Sequence, residues 1–193
     1  MIEDEEIKKL LQVCDLDTAR GKSTGLRDAA IIALLWAAGL RRNEIIKLRQ
    51  TDLNLSTGEL QILHGKGNKE RIAYVTDTAL GRVVKWIEHK NHYTKSEALF
   101  VSVDQQGIPT ENEIQSGQTI YDILTRRGKQ AGLDSFSPHD FRRTTISDLL
   151  NAGVDVVTVS KIVGHADTGT TAKYDRRDDR AKLDAAMKRN LPS

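Results

Sequence analysis

Apolar residues recur at helical spacing through most of this chain, broken by two short alternating stretches near its middle. Ile7, Leu10 and Leu11 keep a helical period behind Asp4, a capping residue, with Glu5 and Glu6 in the first turn. Residues 15–25 are polar and read as a loop, whereas residues 26–38 are almost continuously apolar and predict a core helix that Gly39 stops in a left-handed conformation. A short helix follows over 42–48. Residues 59–63 and 71–75 read as strands joined by His64-Gly65-Lys66-Gly67-Asn68-Lys69, whose glycines and asparagine suit a hairpin turn. Thr76 or Asp77 caps a helix reaching residue 90, residues 99–103 add a strand, and polar residues 105–118 read as a loop. Helices at 119–131, 138–151, 156–163 and 178–188 complete the pattern, with no internal repeat. The expected fold is α+β, mainly helical, with a small antiparallel sheet.

Composition narrows the function classes. With 193 residues the chain suffices for one domain with a substantial core. Aromatic residues make up only 5%, which disfavours stacking platforms for single-stranded nucleic acid. The longest apolar run, within residues 29–38, is too short to cross a bilayer, and the acidic opening is opposite in sign to a secretory leader. A cytoplasmic protein without a membrane segment is therefore expected. Cys14 is the single cysteine, which excludes an internal disulfide or a cysteine-based zinc cluster and fits a reducing compartment. The net charge of +2 says little by itself. Its distribution says more: residues 126–193 hold thirteen Lys or Arg against nine Asp or Glu, while residues 1–20 hold three against six. A phosphate-facing end and a solvated end would produce this asymmetry.

Candidate chemistry concentrates at the basic end. Ser137-Pro138-His139-Asp140 reads as a helix start, with Ser137 as cap, Pro138 first in the helix and Asp140 completing a capping box. His139 and Arg142 then share a face of the first turn, where free amides favour an anion. Asp155 caps the next helix, Val156, Val159 and Val163 form its buried stripe, and Gly164 ends it, so His165 emerges just beyond. Tyr174 lies between Lys173 and Arg176; a phenol ionises near pH ~10 and needs a cationic pocket or a base to act as a nucleophile. Upstream, Glu44 stands three residues after Arg41 and can hold its planar fork for a phosphate, and Lys66 sits in the hairpin turn. Taken singly each has a plain explanation: a surface ion pair, an exposed loop lysine, a histidine on a helix dipole, a half-buried tyrosine.

Together their order is specific. Gly-Leu-Arg-x-x-Glu from Gly39, Gly-Lys-Gly-Asn-Lys-Glu-Arg from Gly65, His-x-x-Arg from His139, Gly164-His165 and then Tyr174 resemble the catalytic domain of the tyrosine recombinases, the phage integrase family. The resemblance covers nearly the whole chain. It implies Arg41 and Arg142 as the arginine pair on the non-bridging phosphate oxygens, Glu44 as support for the first, and Lys66 (rather than Lys69) as the acid for the departing 5′ oxygen. It further implies His139 as the proton-transfer histidine, His165 as a second phosphate ligand and Tyr174 as the nucleophile.

The implied activity is site-specific DNA recombination through a 3′-phosphotyrosyl intermediate, with no cofactor, metal or ATP. Type IB topoisomerase-like relaxation and a non-catalytic DNA-binding fragment are the alternatives. Double-stranded DNA is the expected partner, with backbone contacts from Arg126, Arg127, Arg143, Lys161 and Lys173. A homotetramer is expected on DNA and a monomer without it, the helix at 178–188 docking on a neighbour. Met1 directly precedes the catalytic domain's first helix, so the family's N-terminal DNA-binding domain is expected to be absent. His89 and His92 are one helical turn apart but have no evident third metal ligand.

Overall fold

A computed structural model describes residues 2–63, 70–133, 137–164 and 168–172. The helix expected at 178–188 lies outside them. The elements, in order, are α1 (Asp4–Ala19), α2 (Ser23–Ala38), α3 (Arg42–Ile45), β1 (Glu59–Ile62), β2 (Arg71–Tyr74), α4 (Asp77–Asn91), β3 (Val101–Val103), β4 (Pro109–Glu113), α5 (Gly117–Gln130), α6 (Pro138–Asn151), α7 (Val156–Val163) and α8 (Thr168–Ala172).

The apolar run that predicts a core helix is α2, and it is buried on nearly all sides because α1, α4 and α6 pack around it. Gly39 ends it at φ +55°, as expected, and its N–H returns to the Leu35 carbonyl. A separate small cluster of Ile146, Leu150, Val159 and Val163 joins α6 to α7. Helix α6 is tied to the start of the chain by the Ile2 N–H donating to Thr144 Oγ1 (2.9 Å), and to α2 by Thr145 Oγ1 donating to the Trp36 carbonyl (3.1 Å).

Several boundaries depart from the pattern-based expectation. Instead of a loop over 15–25, α1 continues to Ala19 and α2 begins at Ser23. Asp17 there, and Asp28 just beyond, are paired across the core rather than solvated. Arg127 Nη1 donates to Asp17 Oδ2 (2.6 Å), and Arg27, Arg126 and Arg127 all donate to the fully buried Asp28. The two helices also touch backbone to backbone: a Cβ on Gly25 would stand 2.4 Å from the Cys14 carbonyl oxygen. Cys14 itself is sealed in the core, and burial pushes its thiol up to about 12.

Glu3, not Asp4, caps α1, its N–H donating to Glu6. Helix α3 stops at Ile45 rather than residue 48, because the Leu48 carbonyl accepts from Leu99 N–H (2.8 Å) and the chain turns extended. The expected sheet is two separate antiparallel ribbons, β1–β2 and β3–β4. Strand β4 falls inside the expected loop: Pro-Thr-Glu-Asn-Glu has no apolar alternation, and its strand character comes from pairing with β3.

Replacing Asp28 by Asn leaves the buried guanidiniums without their shared carboxylate, and should lower unfolding stability by on the order of 3–5 kcal/mol, read from urea denaturation at pH 7.

Candidate active site

Four segments far apart in the chain meet at the C-terminal end of α7. Arg41 is the capping residue of α3, and Glu44, one turn on, takes it at two points. Glu44 Oε2 accepts the Arg41 backbone N–H (2.8 Å) and Oε1 accepts Arg41 Nη1 (2.7 Å). The sequence expectation that Glu44 orients Arg41 matches this geometry.

Arg142 projects from the first turns of α6, whose start is built as expected: Pro138 is the first helical residue, and the Asp140 carboxylate accepts both the N–H (3.0 Å) and the hydroxyl (2.8 Å) of Ser137. The Arg142 guanidinium donates to the Gly39 carbonyl (2.8 Å) and to that of Val163. Arg41 Nη2 donates to the Gly164 carbonyl (2.7 Å), and Arg71, the first residue of β2, donates through Nε to the Ile162 carbonyl (3.0 Å). Three successive carbonyls at the end of one helix thus receive three arginines. Such carbonyls have no partner within the helix and carry the negative end of its dipole, so cations are their natural complement. Asp155 caps the other end of α7 through Thr158 N–H (2.9 Å), and Gly164 terminates it at φ +67°.

A cavity of about 310 Å³ opens beside this junction, lined by Leu40, Arg41, Arg42, Tyr121, Ser137, Pro138, His139 and Arg142. Three of these are arginines, none is a carboxylate, and His139 is exposed at its edge. An unbalanced cluster of guanidiniums in a concave wall suits an anion. A larger cavity of about 410 Å³ has Glu44, Asp52 and Glu113 set against Lys47 and Arg49, a balance that does not favour phosphate.

Burial alone would push the Glu44 carboxyl up, but Arg71 first and Arg41 second hold it below its ordinary value. Asp140 is likewise lowered: burial opposes ionisation, and the Ser137 N–H and hydroxyl outweigh it.

Of the residues singled out from the sequence, Arg41, Glu44, His139 and Arg142 are brought together. Lys66, His165, Lys173 and Tyr174 lie outside the described residues. Among the expected DNA contacts, Arg126 is 48% exposed although it touches Asp28, Lys161 is exposed, and Arg143 is half-buried. Arg127 is a correction. Its side chain is 1% exposed and is held by Asp17, Asp28 and Gln130, so it braces α5 against α1 and α2 instead of reaching a phosphate. Arg71 was missed: it closes the Gly-Lys-Gly-Asn-Lys-Glu-Arg motif, but nothing local announces that its partner is Glu44, twenty-seven residues earlier. Tyr121 and Arg42 were missed for the same reason. Among the described residues no group of three or more metal-ligating side chains comes together; His89 contacts Ser23 Oγ and His92 the Glu88 carbonyl. No helix of the described residues is long and apolar enough to cross a membrane.

Residues 1–180 match the model of the phage integrase family. The chain belongs to that family. A tyrosine recombinase XerD from Staphylococcus epidermidis is 33% identical over 179 residues, covering 90% of this chain and 57% of the relative. The family's fold is also found in the crystal structure of XerA recombinase (TM-score 0.75, 24% identity, all of this chain and 65% of that one). It recurs in XerH site-specific recombinase bound to difH substrate in a pre-cleavage complex (TM-score 0.72, 24% identity, 96% of this chain and 52% of that one). The chain thus spans little more than half the length of the XerD relative.

The depressed carboxylates set the acid stability of the site. Glu44 and Asp140 ionise more readily folded than unfolded, so their contribution is complete above the unfolded values and is lost as pH falls through the folded ones. Urea unfolding at pH 7, 5 and 3 should show a loss of stability concentrated below pH ~5, and Glu44→Gln should be less stable at pH 7 with a shallower acid dependence.

Proposed function

We propose that this chain is the catalytic domain of a site-specific DNA recombinase, which cuts and rejoins strands of double-stranded DNA through a 3′-phosphotyrosyl intermediate. The observation that carries the reading is the convergence of Arg41 and Arg142, 101 residues apart, on a single cavity with no carboxylate in its lining and His139 at its edge. The Xer recombinases support it, as does the DNA-bound state of XerH.

In this mechanism the two arginines neutralise the non-bridging oxygens of the scissile phosphate as negative charge gathers there. The Tyr174 oxygen forms a bond to phosphorus while the bond to the 5′ oxygen breaks. The phenolic proton passes to a base, with His139 as the proton-transfer group, and Lys66 protonates the departing 5′ oxygen. His165 hydrogen-bonds the phosphate. Because the new phosphotyrosyl diester retains the energy of the old bond, a 5′ hydroxyl from another strand reseals it without ATP, metal or other cofactor. Arg126, Arg143, Lys161 and Lys173 contact the DNA backbone. Four protomers assemble on two duplexes, with residues 178–188 docking on a neighbour. The protein is a monomer without DNA and works in the cytoplasm.

The test is a pool of nicked duplexes with randomised sequence around the nick, from which the cleaved fragment diffuses and traps the adduct. The wild-type chain should form a covalent complex whose recovered DNA defines the site, Tyr174→Phe should form none, and Arg41→Ala should slow adduct formation by about 10²-fold or more. No wild-type adduct would leave a non-catalytic DNA-binding fragment, and relaxation of supercoils without exchange between duplexes would mark a topoisomerase. Binding should weaken steeply with salt, and charge reversal at Arg143 or Lys161 should weaken it for all sequences alike, measured by fluorescence anisotropy.

A further inference from the structure

We propose that Arg71 is a positioning residue of the phosphate-binding pair: it holds Glu44, and through Glu44 the Arg41 guanidinium, in register with the end of α7. The inference rests on the recombinase reading and extends it to a residue outside the implied catalytic set.

Arg71 is only 7% exposed, and each of its three guanidinium nitrogens donates within the site. Nη1 and Nη2 fork onto Glu44 Oε1 (3.0 Å) and Oε2 (2.9 Å), while Nε donates to the Ile162 carbonyl. The Glu44 carboxylate, 3% exposed, therefore takes four donors, two from Arg71 and two from Arg41. This division controls Arg41. With each carboxylate oxygen already taking one Arg71 nitrogen, and Oε2 the Arg41 backbone N–H as well, Glu44 engages the Arg41 side chain through a single nitrogen, and that side chain stays 29% exposed at the cavity. Without Arg71, the buried carboxylate has one cation left to neutralise it, and the bidentate geometry that guanidinium and carboxylate favour would draw the Arg41 fork away from the phosphate.

The fit on the α7 side is equally close. A Cβ on Gly164 would meet Arg71 Cδ at 2.9 Å and Nε at 3.2 Å, so the helix end is moulded to this side chain. Lysine retains the charge but lacks the planar fork, and cannot satisfy both carboxylate oxygens and the carbonyl together.

The experiment compares single-turnover adduct formation by wild type, Arg71→Lys, Arg71→Gln and Arg41→Lys on the selected nicked duplex. The scissile position carries either the natural phosphodiester or a methylphosphonate, which removes one anionic oxygen and with it much of the demand for an aligned guanidinium. Arg71→Lys should slow the phosphodiester reaction about 10- to 100-fold and the methylphosphonate reaction much less, reproducing the substrate preference of Arg41→Lys. The double variant should be little slower than Arg41→Lys alone. The ratio of the two substrate rates is taken within one preparation, so a reduced folded fraction cancels from it. Equal slowing on both substrates, no slowing, or additive effects in the double variant would overturn the proposal. A wild-type chain that forms no adduct would instead remove the recombinase reading beneath it, and Arg71's proposed role with it.

Discussion

A buried carboxylate shared by two arginines is the constraint on which the site depends. Glu44 has almost no contact with water, yet it remains ionised because Arg71 and Arg41 surround it. Those same guanidiniums reach past it to the last carbonyls of α7, where Arg142 joins them from α6. Each interaction answers a need of its partner: the carboxylate requires cations, the helix end requires donors, and the arginines require a frame stiff enough to be aimed. Preorganised charge of this kind is what a reaction at an anionic phosphorus centre demands, since the protein need not reorganise as the transition state forms.

The same principle appears where α5 meets α1 and α2, with another outcome. Asp17 and Asp28 are buried against Arg127, with Arg27 and Arg126 completing the cluster. There two buried carboxylates take hydrogen bonds from all three guanidiniums, and the network serves to lock α5 onto α1 and α2. Near Arg41, three arginines line a cavity without an acid among the lining residues. The difference between a structural ion cluster and an anion site is whether the guanidiniums are turned onto buried carboxylates or line an open cavity, rather than the number of arginines.

Much of this was legible in the chain. The apolar run of α2, the left-handed Gly39 and Gly164, and the Ser137-Pro138 start of α6 depend on neighbours in sequence, and short-range rules found them. The pairing of Arg41 with Glu44 spans one helical turn and was equally accessible. Asp17 reads as a loop residue because the guanidinium it is buried against belongs to Arg127, 110 residues on. Arg127 reads as a phosphate contact for the same reason in reverse. Strand β4 owes its form to β3, not to its own residues, and Arg71 stood inside a recognised motif while its partners lay elsewhere.

The span of these contacts has a consequence for how the protein is made. Arg41 meets Gly164 across 123 residues and Arg71 meets Ile162 across 91, so the cage closes only when α7 is available to be gripped. Long-range closure comes late in folding, after local helices and hairpins have formed. A nascent chain that has not yet released α7 can fold α2 and begin a core, yet its arginine cage has nothing to close on. The anion site is thereby withheld until residues through Gly164 have been made, with no inhibitor required.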